Sequence, residues 1–262
     1  MPPKRIAVRV SNDELLPLRA RYREEMNCQI VHDSIHVRPG WTESYKLEVD
    51  GLCAGYGAVA VGGPWKAKPA ALEFYVLPEH RTRAFDLFEA FLKAGRPPCF
   101  EAQSNDVLFA AMVLAYGRQI ASEKIVFHDK LTTSLRAKGA VLKCATPTEE
   151  ILKAIELRRG GGEWVLEADG APVGKGGILF HYNRPYGDIY MEINRPFRRR
   201  GFGSYLVQEL KRACYALGAL PCARCSPANV ASRNTLQRAG FVPFAHILIG
   251  RFAPRKRAKR RS

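Results

Sequence analysis

The chain has 262 residues, 47% of them apolar and 25% charged, which excludes wholesale disorder and collagen-like or coiled-coil architectures and leaves room for one large or two small domains. Its uncharged runs, such as 52–65 and 107–117, are shorter than the roughly 20 apolar residues of a membrane-spanning helix, and no apolar signal-peptide run opens the N-terminus. A cytoplasmic protein without a membrane partner is therefore expected. The net charge of +16 falls as +2 over 1–137, +8 over 138–254 and +6 over 255–262, so an anionic ligand is expected in the second half.

In chain order, a short strand-like run leads to Ser11-x-x-Glu14, a capping-box helix start. A strand over 45–49 then precedes Asp50-Gly51, a hairpin turn signal, and Pro78 closes a later strand and opens a basic turn and a helix. The second half repeats this order. A strand over 140–144 precedes Thr146-x-x-Glu149, read as a second capping box, with a helix over 148–158. Strands follow over 163–167, 173–180 and 188–194, with Asp169-Gly170 turning the first pair. Asp50-Gly51-x-x-x-Gly55-x-Gly57 and Asp169-Gly170-x-x-x-Gly174-x-Gly176 share one pattern, which marks an internal repeat.

A helix over 203–217 comes next, with Leu206, Leu210, Cys214 and Leu217 on one face and Gly218 as its stop. The last elements are a strand over 221–225, a helix over 229–239 with Ser226 expected as N-cap and Pro227 at its first position, and a strand over 244–250. Strands punctuated by helices, with an early hairpin meander, predict an α/β fold built on a mixed sheet. The domains expected are 1–131 and 139–252, with a linker at 132–138 and a basic tail at 253–262.

Seven scattered cysteines suit a reducing compartment. Cys222-x-x-Cys225 lacks a second pair or a nearby histidine, and a strand points positions three apart to opposite faces, so no metal is expected.

The chemistry is concentrated between Asn194 and Tyr205, where a strand ends, a turn rich in arginine and glycine follows, and a helix begins. Unpaired N–H groups and the positive end of the dipole make such a helix start a phosphate site, and Gly201 and Gly203 would let a pyrophosphate approach the backbone. From these residues alone, an arginine-rich surface turn with two permissive glycines is an equal alternative. The segment is neither a Walker loop nor a dinucleotide fingerprint.

Arg198-x-x-Gly201-x-Gly203 resembles the Q/R-x-x-G-x-G/A pyrophosphate loop of the GNAT superfamily of acyl-CoA-dependent N-acyltransferases. Asn229-x-x-Ser232 followed by Gly240-Phe241 resembles the family's second motif. The resemblance covers about 138–252, and residues 1–130 share the layout without the motifs. It implies two tandem GNAT-like domains, each a mixed, mostly antiparallel twisted sheet flanked by helices, the first degenerate. It also implies acetyl-CoA as cosubstrate, acetyl transfer to a primary amine in a ternary complex, and no metal. By position, Glu192, Ile193 and Asn194 would offer main-chain partners to the pantetheine arm. Arg198, Arg199, Arg200, Gly201, Phe202, Gly203 and Ser204 would hold the pyrophosphate, and Asn229 would lie near the thioester.

Two departures follow. The tyrosine that many members place seven residues after the motif asparagine as general acid is Leu236 here, and a base glutamate five residues before it is Arg224. Strand alternation puts Tyr190, Glu192 and Asn194 on one face, which makes Glu192 the candidate base and Tyr190 and Tyr205 candidate proton donors. The alternatives are a solvated or arginine-paired Glu192 and two packing tyrosines.

With Pro78 set against Pro196, Arg83 and Phe85 take the places of Gly201 and Gly203 and are expected to fill the first cradle. From capping box to D-G turn the second half is 16 residues shorter than the first, so it is expected to lack the second helix that often walls the acceptor site, and the first domain would complete that wall. The six basic residues within 255–262 are either a solvated tail or a nonspecific contact with nucleic acid or ribosomes. The competing functions are a noncatalytic acyl-CoA-binding regulator and a nucleic-acid-associated protein.

Overall fold

A computed structural model describes residues 5–30 and 33–253. The basic tail at 255–262 lies outside the described residues. The chain forms two compact units that do not follow its contiguous halves. Within the described residues, the first comprises 5–26, 35–122 and 248–253, and the second comprises 27–30, 33–34 and 123–247.

In the first unit, strands β1 (Arg5–Val10), β2 (Thr42–Val49), β3 (Leu52–Ala60) and β4 (Ala70–Val76) pair antiparallel in sequence order. Strand β5 (Cys99–Gln103) then joins β4 in parallel. Helices α1 (Leu16–Met26), α2 (Ala84–Gly95) and α3 (Val107–Tyr116) complete it, and the core is aromatic, with Phe74, Phe88, Phe91, Phe100 and Phe109 fully buried. Beyond Gly117, strand β6 (Gly117–Asp129) carries the chain into the second unit.

The second unit repeats the order. Strands β7 (Ala140–Cys144), β8 (Gly161–Ala168), β9 (Ala171–Leu179) and β10 (Tyr186–Ile193) are antiparallel neighbours, and β11 (Leu220–Cys225) joins β10 in parallel. Helices α4 (Thr148–Leu157), α5 (Phe202–Ala216) and α6 (Val230–Arg238) accompany them, and strand β12 (Phe241–Phe252) ends the series. Each unit borrows a strand from the other half of the chain. Residues 125–128 of β6 pair antiparallel with β11, whereas the end of β12 lies beside β5, with the Phe252 N–H on Pro98 O at 3.0 Å.

The repeated glycines have one physical reason in both units. Asp50-Gly51 and Asp169-Gly170 have φ of 50° and 82°, and 51° and 79°, the left-handed pairs of a two-residue hairpin turn. A Cβ on Gly57 would strike the Phe91 ring at 2.6 Å, and one on Gly176 would strike Leu210 at 2.8 Å. At each place a helix lays a large side chain on the sheet.

Every element expected in the second half is present within a few residues, but the capping reads differently. Ser11 and Glu14 do form the reciprocal box, with Ser11 N–H on Glu14 Oε1 at 3.2 Å and Glu14 N–H on Ser11 Oγ at 3.4 Å. Thr146 does not cap α4. Its hydroxyl accepts the Glu163 N–H at 2.9 Å and ties the helix entry to β8. Ser226 does not cap α6 either: Pro227 sits in a turn before the helix, and Asn229 is the cap, its Oδ1 accepting the Ser232 N–H at 3.0 Å. The longer connection of the first half contains a short 3-10 turn, Asp33–Val37, and no second α-helix among the described residues.

Candidate active site

The cradle is built where β10 runs out. The Asn194 N–H bonds Val173 O at 2.9 Å, and its side-chain amide donates to Pro172 O at 2.9 Å, which fixes the strand end against β9. A 3-10 turn over Arg195–Phe197 follows, and Arg198 reaches back to donate from Nε to Ile193 O at 2.8 Å. Asn194 N–H and one lone pair of Ile193 O are thus engaged within the protein, leaving the remaining β10 edge for a ligand. Arg199 and Gly201 then adopt left-handed φ of 60° and 85°.

These two reversals set Gly201 as the N-cap of α5 without a side-chain cap, and the Tyr205 N–H is the one that bonds Gly201 O, at 3.2 Å. The N–H groups of Phe202, Gly203 and Ser204 are left at the open helix end, where the dipole is positive. A Cβ at Gly201 would meet nothing within 4 Å, so the space before the helix is open. One at Gly203 would come within 3.3 Å of Thr235 on α6. Gly201 is therefore needed for its backbone sign and Gly203 for close packing of α6 on α5. Arg198, Arg199 and Arg200 lead into the opening and are exposed; Arg200 lies 5.8 and 5.5 Å from the Phe197 and Phe202 rings.

Beside the cradle the sheet forks. The parallel pairing of β10 with β11 ends at Ile189 with Ala223, while β10 continues to Ile193 and β11 turns toward β6. Ile189 and Ile193 are buried in the core with α5, and Tyr190 and Glu192 are exposed on the other face, as strand alternation requires. Glu192 faces Arg198 at 3.9 Å, and both side chains are more than half exposed, a separation that leaves the carboxylate accessible.

Tyr190 has a partner that the motifs do not reveal. Tyr190, Gly177 and Glu163 lie in one row across β10, β9 and β8. A Cβ on Gly177 would fall 2.6 Å from the Tyr190 hydroxyl, so the phenol crosses β9 only because that residue is glycine. The hydroxyl meets Glu163 Oε2 at 3.4 Å, and Lys175 Nζ meets the same oxygen at 3.4 Å. Burial, then the Glu163 charge, raises the Tyr190 pKa, which keeps the phenol a proton donor at neutral pH. The missed signal was the pairing register, which links a strand glutamate and tyrosine through an intervening glycine.

Tyr205 is set apart from this pair. It lies on α5 and packs against the core on the opposite face of the sheet, beside the 134–138 segment. Burial, then Glu209, raises its pKa. Asn229 is exposed and holds the start of α6. Leu236 is buried at 4% exposure. Arg224 lies on β11, donating from Nε to Asp188 at 3.2 Å and from Nη2 to the Tyr182 hydroxyl. Cys222 and Cys225 belong to separate hydrophobic clusters, and the described residues hold no group of three or more metal-ligating side chains.

The strand order, the parallel fork and the uncapped helix start beside it stand together at one exposed place in the second unit. Residues 132–241 match the family model described as acetyltransferase (GNAT) family, and this segment is a GNAT domain. Solved structures extend the likeness of fold to nearly the whole chain. A GNAT-family acetyltransferase from Colwellia psychrerythraea is 15% identical with a TM-score of 0.70, covering 95% of this chain and all of the other. A tandem GNAT protein from the clavulanic acid biosynthesis pathway is 16% identical with a TM-score of 0.61, covering 97% and 100%. A GCN5-related N-acetyltransferase from Sphaerobacter thermophilus is 15% identical with a TM-score of 0.58, covering 95% and 96%. Among curated proteins no match to the chain was found. Among the described residues, no helix is long and apolar enough to cross a membrane.

Proposed function

We propose that the protein is an N-acetyltransferase that carries an acetyl group from acetyl-CoA to a primary amine by direct attack in a ternary complex. The observation that carries this reading is the juxtaposition of an open, uncapped α5 start with a fork on whose exposed face stand Glu192 and Tyr190. The residues present fit the cofactor: the Phe202, Gly203 and Ser204 N–H groups, with Arg198 to Arg200 around them, suit a pyrophosphate. Glu192, Ile193 and Asn194 form the β10 edge along which the pantetheine would lie, and Asn229 stands at the start of the helix beyond the fork.

The attacking amine must first lose a proton, and the Glu192 carboxylate is the exposed acceptor on the fork face. The nitrogen then bonds the acetyl carbonyl carbon, and as the carbon–sulfur bond breaks the proton that the nitrogen sheds passes through solvent to the departing thiolate. Tyr190, its hydroxyl turned across β9 onto Glu163, lines the exposed face and does not give that proton. Proximity supplies much of the acceleration in such a site. Tyr205, on the other face, is assigned to the ligand wall described below rather than to proton transfer.

The test is release of free thiol from acetyl-CoA with a panel of primary amines. Amine-dependent, multiple-turnover release supports the reading. Binding of acetyl-CoA without release with any amine would instead support the noncatalytic regulator, which the buried Leu236 at the usual acid position favours.

A further inference from the structure

Residues 130–138 join β6 to β7, and much of this stretch is clamped to α5. Gln208, 2% exposed, grips Leu135 from both sides of its peptide: it accepts the Leu135 N–H at 2.7 Å and donates to Leu135 O at 3.1 Å. Lys211, 4% exposed, donates to Leu131 O at 2.8 Å and Ala239 O at 2.7 Å and pairs with Asp129 at 2.6 Å. A buried amide and a buried ammonium, bonded to the backbone at Leu135 and Leu131, hold this stretch against the helix.

Between this stretch and the helix lies a cleft of about 550 Å³, lined by Ser134, Arg136, Lys138, Tyr205 and Arg212 among others. Arg212 is paired with Glu209 at 2.7 Å. Arg136 and Lys138 are exposed and have no ion-pair partner among the described residues. No acidic side chain lines the cleft.

Its place is informative. Tyr205, which lines the cleft, is the residue after Ser204 in the first turn of the helix, and Arg212 lies about 10 Å further along at 1.5 Å per residue. A ligand with one phosphate group on the helix start and a second a few ångströms away meets both sites at once. Acetyl-CoA is such a ligand, since its adenosine carries a pyrophosphate and a separate ribose 3′-phosphate.

We propose that this cleft is a phosphate-monoester subsite in which Arg136 and Lys138 take the 3′-phosphate of the acyl-CoA, with Tyr205 and Arg212 forming the opposing wall. The inference rests on the acyl-CoA reading and adds to it a specificity: the linker lets the protein tell CoA from dephospho-CoA. A monoester carries close to two charges at neutral pH, which two cations on one clamped segment can meet together.

The experiment is calorimetric titration of the full chain with acetyl-CoA and with acetyl-dephospho-CoA, for the wild type and for Arg136→Ala/Lys138→Ala. Both replaced side chains are exposed, and affinity for the dephospho ester reports whether the cradle is intact. The wild type is expected to prefer acetyl-CoA by about ten-fold or more, and the double variant to bind the two esters within about three-fold, with its dephospho affinity unchanged. Equal wild-type affinities, or a preference that survives in the variant, would overturn the subsite while leaving the acyltransferase reading standing. Binding of neither ester to the wild type would remove both.

Discussion

The two units fold the same pattern and resolve it oppositely at the fork. In the first unit β4 pairs with β5 only at Ala70 and Ala71, so the strands diverge as β10 and β11 do, yet every residue of β4 is buried whereas Tyr190 and Glu192 on β10 are exposed. By pairing register Glu73 stands where Tyr190 stands, and Tyr75 where Glu192 stands. Glu73 is held by His36 Nε2 at 2.9 Å, the Tyr56 hydroxyl at 2.7 Å and Arg19 at 3.7 Å, and these partners, against the cost of burial, hold its pKa well below the usual carboxylate range. Tyr75 donates to Glu25 at 2.7 Å. Asp106 caps α3 as Asn229 caps α6, accepting the Phe109 N–H at 3.0 Å and also the Tyr22 hydroxyl at 2.9 Å. The fork of the first unit is thus filled by its own polar and aromatic side chains.

The helix starts differ as well. The strand ends match Leu77 with Asn194 and the helix caps match Arg83 with Gly201, so the second unit's turn is one residue longer; the extra residue falls before Pro196, because Pro78 and Pro196 each stand five residues before their helix caps. The caps place Phe85 opposite Gly203, but Phe85 is 57% exposed and does not plug the cradle. The decisive difference is Asp86, opposite Ser204. Its carboxylate occupies the first turn of α2 and pairs with Arg5 at 3.1 Å, so the helix dipole is already met by a negative charge that would repel phosphate. One architecture stays open in the second unit and is sealed in the first through what stands at the fork and in the first helical turn.

Copying the first unit into the second should break the contrast most severely. In Gly203→Phe the new ring must displace Thr235, which already lies 3.3 Å from a Cβ there. Acetyl-CoA binding should fall below detection by calorimetry, with a stability loss of about 1–3 kcal/mol in denaturant melts from overpacking. Ser204→Asp, which copies Asp86, should weaken binding about 100-fold through repulsion at the helix start; Ser204 is 6% exposed, so denaturant melts must show the variant folded.

Next in size, Glu192→Gln should lower turnover by about 10² to 10⁴-fold and leave cofactor affinity nearly unchanged, the effect being greatest at low pH where the amine must lose a proton. A wild-type rate across pH would make Glu192 structural.

The smallest effect probes the sealed fork. Burial raises the Asp106 pKa to about 7, outweighing the Phe109 and Tyr22 hydrogen bonds that lower it. Its unfolded value is about 3.9, so between roughly pH 4 and 7 the folded state holds more protons than the unfolded one and stability falls as pH rises. Asp106→Asn keeps the cap oxygen, as Asn229 does, and should flatten this slope and stabilise the protein at pH 8 by about 1 kcal/mol. An unchanged slope would place the titration elsewhere.

Much of this was legible in the sequence because it is local. The hairpin turns are written in Asp-Gly pairs that need left-handed backbone, the α5 face in Leu206, Leu210 and Cys214, and the cradle in Gly201 and its arginines. What escaped is long-range. The exchange of β6 and β12 between the halves leaves no local mark. The row through Glu163, Gly177 and Tyr190 depends on register across three strands. Thr146 and Ser226 carry the chemistry of caps but are claimed by β8 and by the Pro227 turn. The role of Asp86 rests on its ion pair with Arg5, a contact between residues far apart in the chain.

The central claim, that the second unit holds the cofactor and the first does not, is tested most directly by the stoichiometry of acetyl-CoA binding in a calorimetric titration of the wild-type chain alongside Ser204→Asp and Asp86→Ser. One site per chain is predicted for the wild type, weakened in Ser204→Asp and neither lost nor doubled in Asp86→Ser, because the first fork remains filled by Tyr22, Tyr56, Tyr75 and Asp106. Two sites in the wild type, or a site that weakens with Asp86→Ser and not with Ser204→Asp, would contradict it.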